Sequence, residues 1–178
     1  MELMQAINER RSIRNYKAGV GITDDQLKEL ITCAGLAPSW KNAQTARYYA
    51  AVSEEAKNKI YASLPEFNVN SSKNASALIV TAFEMKRAGF DREGNPDNEL
   101  GDQWGAYDLG LQNENLLLKA REMGYDTLVM GIRNSDVIRE ALDIPASQQI
   151  VAVIAVGVRE ETPAMPKRKD VDSILKIY

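Results

Sequence analysis

Apolar residues along this chain fall into two kinds of stretch, some recurring three and four positions apart and others nearly continuous over short runs. The first kind predicts helices. Residues 2–9 read as a short amphipathic helix that stops at a cluster of arginines. A second helix is predicted from Asp24 to Leu36. Thr23 and Gln26 have the spacing of a capping box, and Leu27, Leu30, Ile31 and Ala34 recur at i, i+3, i+4 and i+7 on one face. Pro38 stops this helix, and PSWKNAQT follows as a polar loop.

The second kind predicts strands. ARYYAAVS (46–53) has strand composition, SALIVTAF (76–83) reads as a buried strand, DTLVMGI (126–132) as another, and QIVAVIAVGV (149–158) as a central one. Between them lie two further helical stretches. EEAKNKIYASL (54–64) follows Ser53 as its cap, and NSDVIREALDIP is closed by Pro145. The segment 86–101 is rich in glycine, charge and turn formers and is expected to be an exposed excursion with some mobility.

The longest helical pattern runs from Asp102 to Met123 and ends at Gly124. Trp104, Leu111 and Leu118 form one stripe, and Leu109, Leu116 and Met123 form another. At roughly 100° per residue these stripes lie about 140–160° apart, so the helix is apolar on two nearly opposite faces. One face is expected on its own core and the other on a second element, such as a partner subunit. The tail 160–178 ends in VDSILKIY, an apolar segment expected to dock on another subunit.

Composition narrows the class. The 178 residues fit one domain, 1–178, and 44% hydrophobic with 26% charged residues is ordinary for a globular protein. A net charge of -3 argues against a general nucleic-acid-binding role. One cysteine, Cys33, cannot form an internal disulfide, and the start lacks a signal-peptide pattern, so a cytoplasmic location is expected. No apolar run is long enough for a membrane span. The chain has no histidine, which excludes a Ser-His-Asp triad, a Cys-His dyad and any histidine-ligated metal. No metal site is expected. Neither GxxxxGK[ST] nor GxGxxG occurs, so the difficult chemistry of an enzyme built on this chain would fall to a cofactor.

Four places carry candidate chemistry. In ERRSIRNYK, Arg10, Arg11 and Arg14 surround Ser12. Cations at a helix end complement its dipole, and guanidiniums with a hydroxyl also suit a phosphate. Both readings stand at this level. Lys167, Arg168 and Lys169 form a late basic cluster, either solvated or completing the same anion site. The loop APSWKNAQ either connects two elements or holds a planar heterocycle through Pro38, Ser39, Trp40 and Asn42. Gly131, before a helix start, lets backbone N–H groups approach a ligand. The carboxylates Glu99 and Asp102 lack a companion base or metal ligand.

The order RRSIRNY, PSWKNAQ, DLGLQNENLLLKAREMGYDTLVMG and PKRKD resembles the nitroreductase family of FMN-dependent oxidoreductases, in its short type, over nearly the whole chain. The resemblance implies an α+β fold with a central, mostly antiparallel sheet flanked by helices. It implies an intertwined homodimer with FMN at the subunit interface and C-terminal tails embracing the partner. Arg10, Arg11 and Ser12 would hold the phosphate and ribityl chain, closed by Arg168 and Lys167. Arg14 would lie near the pyrimidine side of the ring, where negative charge develops on reduction. Pro38, Ser39 and Asn42 would come from the other subunit and cover the ring. Asn68 would reach the pyrimidine edge, and the backbone of Val129, Met130 and Gly131 would face the flavin. The implied activity moves a hydride from NADH or NADPH through flavin N5 to a small acceptor such as a nitroaromatic or quinone. The alternatives are a specialised member acting in flavin fragmentation, dehalogenation or enone reduction, and a non-catalytic FMN-binding dimer. Thr45, Ala46 and Arg47 stand where the family loop often carries Pro-Trp.

Overall fold

The two longest apolar runs become the central strands of one sheet. In the computed structural model, which describes residues 1–178, β2 (Ala77–Glu84) pairs antiparallel with β4 (Gln148–Gly157). The outer strands β1 (Ala46–Ala51) and β3 (Asp126–Met130) complete the order β1-β2-β4-β3, antiparallel throughout. Six α-helices accompany the sheet: α1 (Leu3–Glu9), α2 (Asp24–Gly35), α3 (Glu54–Tyr61), α4 (Glu66–Ser72), α5 (Gln103–Glu122) and α6 (Ser135–Ala141). The fold is α+β, as expected.

Central strands are apolar at successive positions because both sheet faces are covered. Leu78, Val80, Val153 and Ala155 point into one core with Ile60 of α3 and Ile138 of α6. Ile79, Ile154 and Val156 point into the other, against Leu27, Leu30 and Ala34 of α2 and Leu116, Leu117 and Ala120 of α5. Thr23 caps α2 with both bonds of the capping box in place. Helix α4 was not foreseen. Its sequence EFNVNSS has poor helix propensity, and Pro65 starts it only by supplying a fixed φ at the entrance.

Helix α5 has the two-sided character read from its stripes, although a single chain covers one side only. Leu109 and Leu116 are buried, while Tyr107 is 59% exposed and Leu111 stands in solvent beside Gly110, which opens on empty space. Gly105, on the covered side, packs directly beneath the ring of buried Phe83. Because a Cβ there would overlap the Phe83 ring, the overpacking cost falls at its upper end and Gly105→Ala should destabilise the protein by a net of about 2 kcal/mol. Overpacking costs typically about 1–3 kcal/mol, against the roughly 1 kcal/mol that alanine gains over glycine in a helix. Thermal unfolding of the variant tests this, and an unchanged or raised Tm would contradict the packing argument.

The segment 86–101 closes on itself as a hairpin. Phe90 bridges Pro96, Asp91 N–H donates to the Asn95 carbonyl at 2.9 Å, and Asp97 N–H to that of Gly89 at 2.7 Å. Gly89 has φ 83, and a Cβ there would meet the Gly101 carbonyl at 2.5 Å and the Trp104 ring at 2.7 Å. The expected loose excursion is thus a turn built tightly onto the start of α5.

Candidate functional site

After α1 the chain runs alongside β3. Ser12 forms a parallel bridge with Thr127, and Ile13 N–H donates to the Thr127 carbonyl at 3.0 Å. Along it, Ile13 and Tyr16 are each 1% exposed and point into one core, while Ser12, Arg14 and Asn15 are exposed. Tyr16 hydroxyl bonds the Ala155 carbonyl inside the core, which clamps the segment in place. The arginine bend is thereby held at the β3 edge of the sheet.

The late basic cluster returns to this bend. Arg10, Arg11, Ser12 and Arg14 line a cleft of about 150 Å³ with Pro163, Pro166 and Arg168. Lys167 lies in the neighbouring cleft with Arg168 and Lys169. The cations differ in what holds them. Arg11 donates to the carbonyls of Asn8 at 2.6 Å and Arg10 at 2.7 Å, closing the end of α1, while its Nε is buried without a partner. Arg10 pairs with Glu114 of α5 at 3.6 Å. Arg14 and Arg168 reach only backbone carbonyls, those of Ser12 at 3.4 Å and Pro166 at 3.3 Å, and meet no carboxylate. A cleft with two guanidiniums uncompensated by any acid, and a hydroxyl beside them, is suited to an anion of phosphate size. The helix-end reading describes Arg11, whose guanidinium meets the carbonyls at the end of α1.

Beyond the bend, β3 presents its open side. Val129 is 47% exposed, Met130 is turned into the core, and Gly131 faces empty space. Asn68 of α4 approaches the same strand end, its Nδ2 donating to the Ile132 carbonyl at 3.2 Å.

The loop 37–44 lies elsewhere. It leads into the start of β1, where Glu84 N–H donates to the Thr45 carbonyl. Trp40 N–H donates to Asp108 of α5 at 2.8 Å, and its ring packs on Trp104 with centroids 4.5 Å apart. Trp40 is therefore engaged within its own chain and sets the loop's shape. Burial shifts Asp108 above the ordinary carboxylate pKa range, partly offset by that N–H. Ser39 Oγ accepts from Gln44 N–H at 3.1 Å, and Asn42 Oδ1 from the Gln44 amide at 3.2 Å. Lys41, Asn42 and Gln44 all take left-handed backbone, which exposes Pro38 and Asn42 at the surface.

The two halves of the candidate site thus stand at opposite corners of the sheet. The arginine bend adds a fourth spacing beyond the three that separate β1 from β3, about 19 Å across at roughly 4.8 Å per strand. In register, Thr127 is level with Ala77 and Ala46 with Phe83, a further 20 Å or so along the strands at about 3.3 Å per residue.

The pattern of the Nitroreductase family matches residues 7–158. The chain belongs to the nitroreductase family. YdgI of Bacillus subtilis, named provisionally as an NAD(P)H nitroreductase, is 28% identical over 97% of this chain and 96% of its own. The CLA biosynthesis enone reductase of Lactiplantibacillus plantarum is 25% identical over 95% of this chain and 91% of its own. A protein of Exiguobacterium sibiricum crystallised with FMN is 26% identical, covers 100% of this chain and 98% of its own, and superposes with a TM-score of 0.83. The basic residues Lys167 and Arg168 lie beyond the segment that the family pattern matches.

Sequence reasoning missed several contributors. Asp108 anchors the loop, Pro163 and Pro166 wall the arginine cleft, and Asp126 organises the residues behind it. Asp126 was the most legible of these in the sequence, an acid at the head of a short buried strand. Asp102 accepts from Lys86 N–H at 2.5 Å and so closes the hairpin.

Proposed function

We propose that this protein is an FMN-dependent NAD(P)H oxidoreductase that works as a homodimer, with a small nitroaromatic or quinone as electron acceptor. The carrying observation is the separation of the two half-sites. One chain holds a phosphate-sized basic cleft at one corner of its sheet and a ring-covering loop at the opposite corner. A second copy lets the loop of one chain meet the cleft of the other. Exposed Tyr107 and Leu111 on α5, and Val171, Ile174, Leu175 and Ile177 on the tail, supply apolar surface for that contact.

The donor set fits FMN. Arg168 lacks an acidic partner, Ser12 offers a hydroxyl, and Lys167 adds charge, which with Arg10 and Arg11 suits a phosphate dianion, while Arg14, also without an acid, is left for the pyrimidine side of the ring. The open side of β3 at Val129 and Gly131 leaves room for a planar ring against backbone. When bound, FMN would supply the redox chemistry, a two-electron transfer between nicotinamide and acceptor. The chain's own residues bind and orient. Arg10, Arg11, Ser12, Lys167 and Arg168 hold the phosphate end, Asn68 lies beside the strand that faces the ring, and Pro38, Ser39 and Asn42 of the second copy cover it. Trp40 keeps that covering loop in shape through Trp104. No side-chain base is needed for this division of labour, in keeping with a chain without histidine.

The test is spectral. The purified protein should be yellow, and its flavin bands should bleach when NADH or NADPH is added without oxygen. A colourless protein that takes up no FMN overturns the reading, and bound FMN that neither nicotinamide reduces favours a binding protein. A cation uncompensated by acid favours a more negative neighbour. Arg14→Ala should weaken FMN binding about tenfold and lower its midpoint potential by about 20–40 mV, equivalent to roughly 1–2 kcal/mol for a two-electron couple. An unchanged potential in a variant that still binds FMN removes Arg14 from this role.

A further inference from the structure

We infer that Lys86, Arg87 and Arg92 form a basic lip that binds an anionic group on the co-substrate, either a carboxylate on the acceptor or the 2′-phosphate of NADPH. The inference rests on the proposal above that the loop 37–44 covers the flavin, since this lip faces that loop. The three cations, with Phe90 and Asp91 of the hairpin, line a cleft of about 660 Å³ whose opposite wall is Lys41.

The charges here are not balanced within the chain. Asp91 is the single acid lining the cleft, against the three cations of the lip and Lys41. Asp91 accepts from Glu93 N–H at 3.0 Å and Asn95 N–H at 2.8 Å in its own turn, which lowers its pKa. Asp97 pairs with Lys41 at 2.7 Å, Asp102 takes Lys86 N–H, and Glu84 pairs with Arg47 at 3.4 Å. Glu93 and Glu99 do not line the cleft. Lys86, Arg87 and Arg92 are all exposed and none forms an ion pair.

The lip is also held in shape. The hairpin is tied to α5 through Asp102, and Trp104 donates its indole N–H to Asn98 at 2.9 Å. Trp104 in turn carries Trp40 of the loop. One aromatic stack therefore positions both walls of the cleft, with Phe90 half-buried as an apolar floor. Exposed cations on a well-held backbone, beside the half-buried Phe90 ring, suit a planar molecule bearing a negative charge. Neutral analogues lose the charge contact but keep the floor.

The test compares the holoprotein with the triple variant Lys86→Gln, Arg87→Gln and Arg92→Gln. Binding is read from tryptophan fluorescence, because Trp40 and Trp104 sit beside the cleft. The probes are benzoate against benzamide, and adenosine 2′,5′-bisphosphate against AMP. The parallel kinetic readout is kcat/KM for 4-nitrobenzoate against 4-nitrobenzamide. Three exposed, salt-screened charges are expected to be worth about tenfold together. A tenfold selective loss for benzoate and 4-nitrobenzoate, carried in KM, assigns the lip to the acceptor. The same selective loss for the bisphosphate assigns it to NADPH. Equal changes for charged and neutral probes, or none, overturn the inference. FMN content measured beforehand keeps the two proposals apart: a protein that takes up no FMN refutes the flavin reading, whereas FMN-bound protein without charge discrimination overturns the lip alone.

Discussion

Replacing Asp126 by alanine is expected to destabilise the protein by about 3 kcal/mol, because removing one partner of a buried ion pair strands the other. At roughly 2–4 °C per kcal/mol for a chain of this size, the Tm should fall by about 6–12 °C. Asp126 is only 3% exposed at the head of β3. Its carboxylate accepts from Arg121 of α5 at 2.8 Å, and from the Nε of Arg159 at 2.8 Å and its Nη2. The two guanidiniums are themselves 17% and 13% exposed, so neither regains much water when the acid is lost. Arg159 also donates to the Glu9 carbonyl at 3.3 Å at the end of α1. One acid therefore joins the last turn of α5, the end of α1 and the point where the tail leaves β4. Asp126→Asn keeps the shape and part of the hydrogen bonding, and should cost clearly less than alanine. Calorimetric unfolding of both variants checks the order. A drop of under 2 °C for Asp126→Ala would show that the pair is replaceable by solvent.

What could be read without the structure was local. Thr23, Gln26 and the apolar spacing of α2 lie within a few residues of one another, and they form the helix that their spacing implies. The apolar runs of β2 and β4 are equally self-contained, since a strand buried on both faces leaves no room for polar positions. Helix α4 was hidden because Asn, Val and Ser carry no helical period, and its placement depends on contacts such as that of Asn68 with Ile132. In the candidate site, Arg10, Arg11 and Arg14 were equivalent as letters. They became distinct once Arg11 closed on the carbonyls at the end of α1, Arg10 met Glu114, and Arg14 was left exposed beside Ser12. The excursion before α5 looked loose from its glycines and charges. Gly89 instead serves the close approach of Trp104, and Asp102 serves as a clasp. Composition identifies turn formers but does not say what they are turned against.

Ending the chain after Glu160 should convert the protein to a monomer and strip it of FMN. Two independent features of the tail lead to the same outcome. The first is chemical: Pro163, Pro166 and Arg168 wall the cleft in which Arg10, Ser12 and Arg14 meet, and Lys167 adjoins it. A charged hydrogen bond is worth about 1.5–3 kcal/mol, so loss of Arg168 alone should weaken phosphate binding some 10- to 100-fold. The second is physical: Val171, Ile174, Leu175 and Ile177 are 52–87% exposed in one chain. Each contributes about 1.5–3 kcal/mol if buried, less the cost of ordering the tail. Surface of that kind gains stability when another molecule covers it, and a second copy is the one that the proposed arrangement of the two half-sites calls for. Arg168→Ala in the full chain separates the two effects: it should lose affinity for FMN while remaining dimeric. Sedimentation equilibrium and flavin absorbance give both readouts on the same samples. A truncated protein that stays dimeric and yellow would mean that the contact surface lies on α5 alone and that the bend at Ser12 holds phosphate without help from the tail.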